Sequence, residues 1–353
     1  MTATEAFRQQ ARACAALGSP FMARLMTLMS QELPTLDADV ARRVLTWPGD
    51  PGTRGDAVPL RLAAALHALV LDGRDPALDR IWRRPAHHGD ATLWSAVAAA
   101  LRRWRDFILD WLERPPQTNE VGRSAALIAV ARWLDQPLIL SEPGASAGLN
   151  LLFDHYALET GQGRAGPEAA ALTLRPRWTG LPPAPGSVHI RERAGIDLTP
   201  ADPQRDRLRL MAYIWPDQPE RLARMDAALR LAARQRPPVA QGDAVDWLDR
   251  RLRVAHPGAL HLIYHTVFWQ YLPRAAQVRA TVLLNNAGAR ATSQAPLAHF
   301  AMENDGGDGA ALTLTMWPGG DSIAMGRADF HGRWVDWTPP QASGGARRPL
   351  PQR

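Results

Sequence analysis

The sequence predicts an α/β protein: a helical N-terminal region followed by a doubly wound, mostly parallel sheet with a C-terminal antiparallel hairpin. Three observations predict it. Apolar residues recur at spacings of three and four through residues 1–135 without strand-like alternation, short apolar runs alternate with helical stretches from Pro137 onward, and a Pro318-Gly319-Gly320 turn separates the last two extended runs. The chain has 353 residues, and at roughly 150 residues per domain it has room for about two domains. We place them at 1–136, helical, and 137–338, sheet-based, with 339–353 as a tail too poor in apolar residues to fold.

In the first region the clearest helix is 91–113, where Leu93, Val97, Leu101, Trp104, Ile108, Trp111 and Leu112 form one apolar stripe. Pro115-Pro116 ends it, and Asn119 suits the cap of a helix running from Glu120 to Leu134. At Pro137 the run PLILSEPGASAGLNLLFDHY reads as a strand, a small-residue turn and a helix. Further strands are expected at 171–174, 187–191, 238–240, 259–265, 280–284 and 311–317, with helices at 203–213, 219–234, 245–254 and 274–279 between them.

Composition narrows the function. Hydrophobic residues make up 46% and charged residues 22%, which is globular. The single cysteine, Cys14, excludes an internal disulfide framework and a cysteine-rich zinc site. No uncharged apolar run reaches about 18 residues, and the N-terminus has no apolar signal core, so a soluble, cytoplasmic protein without membrane contact is expected. The net charge of +6 comes entirely from arginine, since the sequence has no lysine. A basic balance can mark a polyanion binder, but these arginines are spread among carboxylates, as in RWRD and RDRLRL. Nucleic acid is therefore not the expected partner; a small-molecule substrate is.

The turn Gly144-Ala145-Ser146-Ala147-Gly148 fits two chemistries. One is the G-x-S-x-G nucleophile elbow, which presents a serine to a histidine, here Ser146 with His265 or His331. The other is the nucleotide-binding turn after the first strand of a doubly wound sheet, where small residues let backbone approach a ligand closely. Position favours the second, because 138–141 reads as the first strand and no earlier strand supplies oxyanion donors. With Glu142 in front, the turn resembles motif I of class I S-adenosylmethionine-dependent methyltransferases, E/D-x-G-x-G-x-G, with Ser146 at the middle glycine. That resemblance implies a Rossmann-like sheet and S-adenosylmethionine held by Glu142, Gly144, Ala145, Ser146 and Gly148. It also implies Asp197, past the second strand, on the ribose hydroxyls, and Asp243, past the third, near the adenine. Each acid equally suits a helix cap.

The fourth strand ends in Tyr264 and His265, at the edge where open sheets bind ligands. A neutral imidazole there can take a proton from an acceptor hydroxyl or amine, which makes His265, with Tyr264, the catalytic candidates. No metal is expected. The segments QTNEVGRSAAL, EPGASAGLNLLFDHY, WPDQPERLARMDAAL, GDA, YHTVFWQYLP and HGRWVDW, in that order, resemble the bacterial family catalogued as domain of unknown function 2332. The resemblance spans nearly the whole chain and implies helices fused to a methyltransferase-like domain, with Asn119, Glu120 and Arg123 in one family motif and Asn150 in another. These polar residues at a helix head are expected to line the site facing the turn, with the N-terminal helices capping it. The leading expectation is a methyltransferase-like enzyme acting on a small molecule. The alternatives are a serine hydrolase using Ser146 and a non-catalytic ligand-binding protein.

Overall fold

A computed structural model describes residues 1–340; the tail expected at 339–353 therefore lies, from 341 on, outside the described residues. The chain divides into two compact units, one of Met1–Thr118 with Arg205–Asp226, the other of Asn119–Gln204 with the chain from Ala227 on.

The first unit is helical. It contains α1 (Ala3–Ala16), α2 (Pro20–Glu32), α3 (Asp39–Leu45), α4 (Val58–Leu71), α5 (Pro76–Trp82), α6 (Asp90–Arg103) and α7 (Arg105–Leu112), and from its later segment α9 (Arg207–Ala212). Local chemistry sets the helix starts. Thr2 accepts the Glu5 N–H at 3.2 Å while Glu5 accepts the Thr2 N–H at 2.9 Å, and Asp75 accepts from Ala77 and Leu78 at the head of α5. Phe7, Leu25, Met26, Leu62, Leu66, Leu93 and Ile108 bury together as the core. The single helix expected over 91–113 is broken at Trp104 (φ −105, ψ 30). The break lets its indole N–H donate to Asp75 at 3.0 Å, an interaction that apolar periodicity does not encode.

The second unit is built on a sheet. In chain order its helices and strands are α8 (Ser124–Leu134), β1 (Leu138–Pro143), β2 (Tyr156–Thr160), β3 (Gly163–Ala165), β4 (Leu172–Leu174), β5 (Arg177–Gly180), β6 (Ile190–Asp197), β7 (Val239–Gln241), α11 (Ala244–Arg251), β8 (Leu260–Thr266), α12 (Arg274–Arg290), β9 (Leu297–Glu303), β10 (Ala310–Trp317), β11 (Asp321–Ala328) and β12 (Trp334–Trp337). A further helix, α10 (Pro219–Gln235), starts in the first unit's segment and ends in the second's. The large sheet runs β5-β12-β11-β10-β9-β8-β1-β6-β7, and β3-β2-β4 form a small one. The strands from β9 to β7 pair in parallel, whereas β9, β10, β11 and β12 pair antiparallel to one another. Every residue of β1 and β8 is buried, as expected for central parallel strands covered on both faces.

Three expectations about the strands need correction. The run 280–284 lies inside α12, whose buried positions Ala280, Leu284, Ala287 and Gly288 have helical spacing. The strand expected at 187–191 is β6, which starts three residues later and carries Asp197 as its last residue. The third concerns the strands missing from those expected, β2, β3, β5, β12 and β9, the last although Ala298, Phe300 and Met302 alternate in it as buried residues.

Candidate functional site at the carboxyl ends of β1, β6 and β8

The turn after β1 has Gly144 at φ +74, Ser146 at φ +52 and Gly148 at φ +70. Left-handed backbone is easy for glycine and costly for serine. Hydrogen bonds hold it there. Gly144 and Ala145 both donate to the Ile196 carbonyl, at 2.9 and 3.0 Å, which hooks the turn over the end of β6. The Ser146 N–H donates to Asp197 Oδ2 at 2.9 Å, and the other Asp197 oxygen accepts from Thr199, also at 2.9 Å. The Ser146 hydroxyl itself is buried and has no hydrogen-bond partner among the described residues.

Asn119 does not cap a helix. Its Oδ1 accepts from the Leu149 N–H at 3.1 Å, while Glu120 accepts from Gly122 at 3.1 Å and α8 starts only at Ser124, after a short 3₁₀ turn at Val121–Arg123. Ser124 in turn donates to Asn150 Oδ1 at 2.7 Å. The segment expected to be an α-helix after the turn is a 3₁₀ stretch, Leu149–His155, kinked at Leu152. Tyr156 takes the Leu149 carbonyl at 2.7 Å and Arg193 takes that of Leu151 at 2.7 Å, so two acceptors that an α-helix would use are occupied by side chains. Arg193 also pairs both oxygens of Asp154, each at 2.9 Å.

Glu142 is buried at the end of β1, with its Oε2 3.2 Å from the Tyr264 hydroxyl, which also lies 3.2 Å from the Asn150 carbonyl. One phenolic proton serves one acceptor at full strength. A protonated Glu142 donating to Tyr264, with Tyr264 donating to Asn150, satisfies all three groups. Burial pushes the Glu142 carboxyl well above the usual carboxylate range, with Asp197 adding to it, and it likewise raises the Tyr264 phenol. Asp243 follows β7 and caps α11, accepting from Val245 and Asp246 at 2.9 Å each. The Asp197 carbonyl accepts from Gly242 at 2.9 Å, so the two acids are joined through backbone.

His265 belongs to a different cluster from its neighbour Tyr264, as alternation along β8 requires. Its Nδ1 is 2.6 Å from Glu303 Oε1, its Nε2 is 2.9 Å from His299 Nε2, and its ring stacks on Trp269 at 4.9 Å between centroids. Burial, with the adjacent His265, holds the His299 imidazole down at about 3. Burial alone would raise Glu303, but its bonds with His265, Phe268 and Trp269 hold it below the usual range. Arg123 reaches the same end of the sheet and donates to the carbonyls of Thr266 at 2.7 Å and Phe330 at 2.9 Å. The Phe268 ring lies against Gly144, where a Cβ would fall 2.2 Å from the ring.

Glu142, Asn150 and Tyr264 thus meet directly, as do the 144–148 turn, Asn119 and Asp197; Asp243 is tethered beside Asp197, and His265 connects to the turn through the Phe268 segment. Glu303 and Phe268 are absent from the sequence-derived set. Their signal was the alternation of 297–303, which ends in a carboxylate at the sheet edge that also carries His265. Among the described residues no group of three or more histidine, cysteine or acidic side chains is arranged to hold a metal ion. No helix among them is long and apolar enough to cross a membrane.

Fold and site define an α/β protein with a polar constellation at the carboxyl ends of its parallel strands. The chain belongs to the family described as uncharacterized protein conserved in bacteria (DUF2332), whose model matches residues 4–337. No curated protein and no solved structure matches it.

Proposed function

We propose that the protein is a methyltransferase-like enzyme that binds S-adenosylmethionine over Gly144–Gly148 and acts on a small-molecule acceptor. One observation carries the reading: Glu142, Asp197 and Asp243 stand at the same ends of three neighbouring parallel strands, around a left-handed turn whose Ser146 hydroxyl is buried without a partner among the described residues. The strand order β7-β6-β1-β8-β9 supports a doubly wound, Rossmann-like reading of the sheet: the order reverses between β1 and β8, and such sheets bind ligands at a reversal of this kind.

The residues fit the cofactor in kind. Asp197 keeps lone pairs beyond those given to Ser146 and Thr199, so it could accept from ribose hydroxyls; Ser146 Oγ offers an orphaned donor, and Asp243, whose Oδ1 caps α11, would use its other oxygen for the adenine amine. S-adenosylmethionine supplies an already activated methyl group, so the chain's task is to hold the acceptor in line and exclude water. Tyr264 ties Glu142 to Asn150 and so positions the turn. His265, oriented by Glu303 at 2.6 Å, is the candidate base, and its Nε2 must leave His299, 2.9 Å away, to take a proton from the acceptor. Among the described residues no side chain hydrogen-bonds to Ser146 Oγ, so the serine hydrolase reading has less support. Local pairing of arginines, such as Arg253 with Asp249 and Arg279 with Asp246 at 2.6 Å each, supports a small molecule over a polyanion.

Native mass spectrometry of the protein, as purified and after incubation with S-adenosylmethionine, tests the reading. An added mass equal to the cofactor or its demethylated product is expected; the bare protein mass under both conditions would overturn it.

A further inference from the structure

The four residues that leave β8, Thr266 to Trp269, are held from several sides. Val267 donates to the Met302 carbonyl at 2.8 Å, and Arg123 holds the Thr266 carbonyl at 2.7 Å. The N–H groups of Phe268 and Trp269 both donate to one oxygen of Glu303, at 2.8 and 3.1 Å, and that oxygen also meets His265 at 2.6 Å. The other Glu303 oxygen is buried with no partner among the described residues. So held, Val267 adopts φ +53, a conformation that a β-branched residue rarely takes and that surrounding contacts must enforce. The outcome is the Phe268 ring pressed against Gly144, filling the space in front of the turn that a side chain would otherwise occupy.

We propose that Phe268 is a plug over the turn and that Glu303 is the positioning residue that sets it, linking His265 to the turn through one carboxylate oxygen. A ligand entering over Gly144 displaces the ring, and the strained Val267 hinge relaxes as it leaves. The proposal rests on the turn being the ligand site, but its mechanical core is testable without a ligand.

Residue-resolved hydrogen exchange on the unmodified protein is the test. A plug opens locally, so the Phe268 and Trp269 amides should exchange ~10-fold or more faster than those of Leu262 and Phe300 in the flanking strands. Equal protection across all four would overturn the proposal. Glu303→Ala should abolish the remaining protection at Phe268 and Trp269, whereas Glu303→Gln, whose amide oxygen still accepts both N–H groups, should keep it. Protection intact in Glu303→Ala would also overturn it. With S-adenosylhomocysteine as probe, Phe268→Ala should bind more tightly than the unmodified protein, and equal affinity contradicts the plug. If neither binds, the cofactor reading falls while the exchange rates still decide the plug.

Discussion

The Asp197 carboxylate accepts the Ser146 N–H at 2.9 Å, so the last residue of β6 fixes the left-handed residue of the turn that follows β1. An acid placed to meet a ligand is thus also the acid that shapes the turn. Removing it as Asp197→Ala leaves the Ser146 and Thr199 donors without their acceptor, at a cost of about 1–3 kcal/mol in unfolding free energy. Asp197→Asn retains one acceptor oxygen and should lose less. Urea denaturation of the two variants gives the comparison.

Gly144→Ala adds a Cβ 2.2 Å from the Phe268 ring at a position with φ +74. Backbone strain and overpacking each cost roughly 1–3 kcal/mol. Only the second is relieved by Phe268→Ala. A double-mutant cycle should therefore show that Gly144→Ala costs less in the Phe268→Ala background, and strict additivity would mean that the ring yields freely.

Burial holds three histidine rings well below their ordinary value of 6.5: His67 at about 4, and His261 and His299 at about 3. A histidine whose folded pKa is depressed binds its proton more readily in the unfolded chain. Its contribution to stability is complete above 6.5 and drains away as pH falls toward the folded value. Stability should fall from about pH 6.5 downward. In His67→Gln, which removes one of these three rings, the fall between pH 6.5 and 4 should be shallower. Thermal unfolding across that range reads it.

Glu142 carries the opposite sign. Its carboxyl is raised by burial, so ionising it opposes folding, and stability is lost as pH climbs above the ordinary carboxylate value. Glu142→Gln keeps a neutral group beside Tyr264 and should be more stable than the parent at neutral pH, with a flatter profile between pH 5 and 8. A less stable variant would mean that Glu142 is ionised in the folded protein.

Much of this architecture is legible in the sequence, and the exceptions share a cause. Central strands β1 and β8 are continuous apolar runs bounded by turn residues, and the hairpin of β10 and β11 is announced by its glycines, so local pattern suffices. The acids and small residues of the turn stand out for the same reason. What local pattern does not carry is a bond between residues far apart in sequence. Asn119 reads as a helix cap until Leu149 is seen donating to it, and 149–155 reads as an α-helix until Tyr156 and Arg193 take its carbonyls. Glu303 is one carboxylate among many in sequence; only the pairing of β8 with β9 brings it beside His265 and the Phe268 segment.

Calorimetric titration of the folded protein with S-adenosylhomocysteine decides whether the Gly144–Gly148 turn is a cofactor site. Saturable binding at one site per chain is expected, weakened by Asp197→Asn and strengthened by Phe268→Ala. Absence of binding heat at millimolar ligand, in both the unmodified protein and Phe268→Ala, would contradict it.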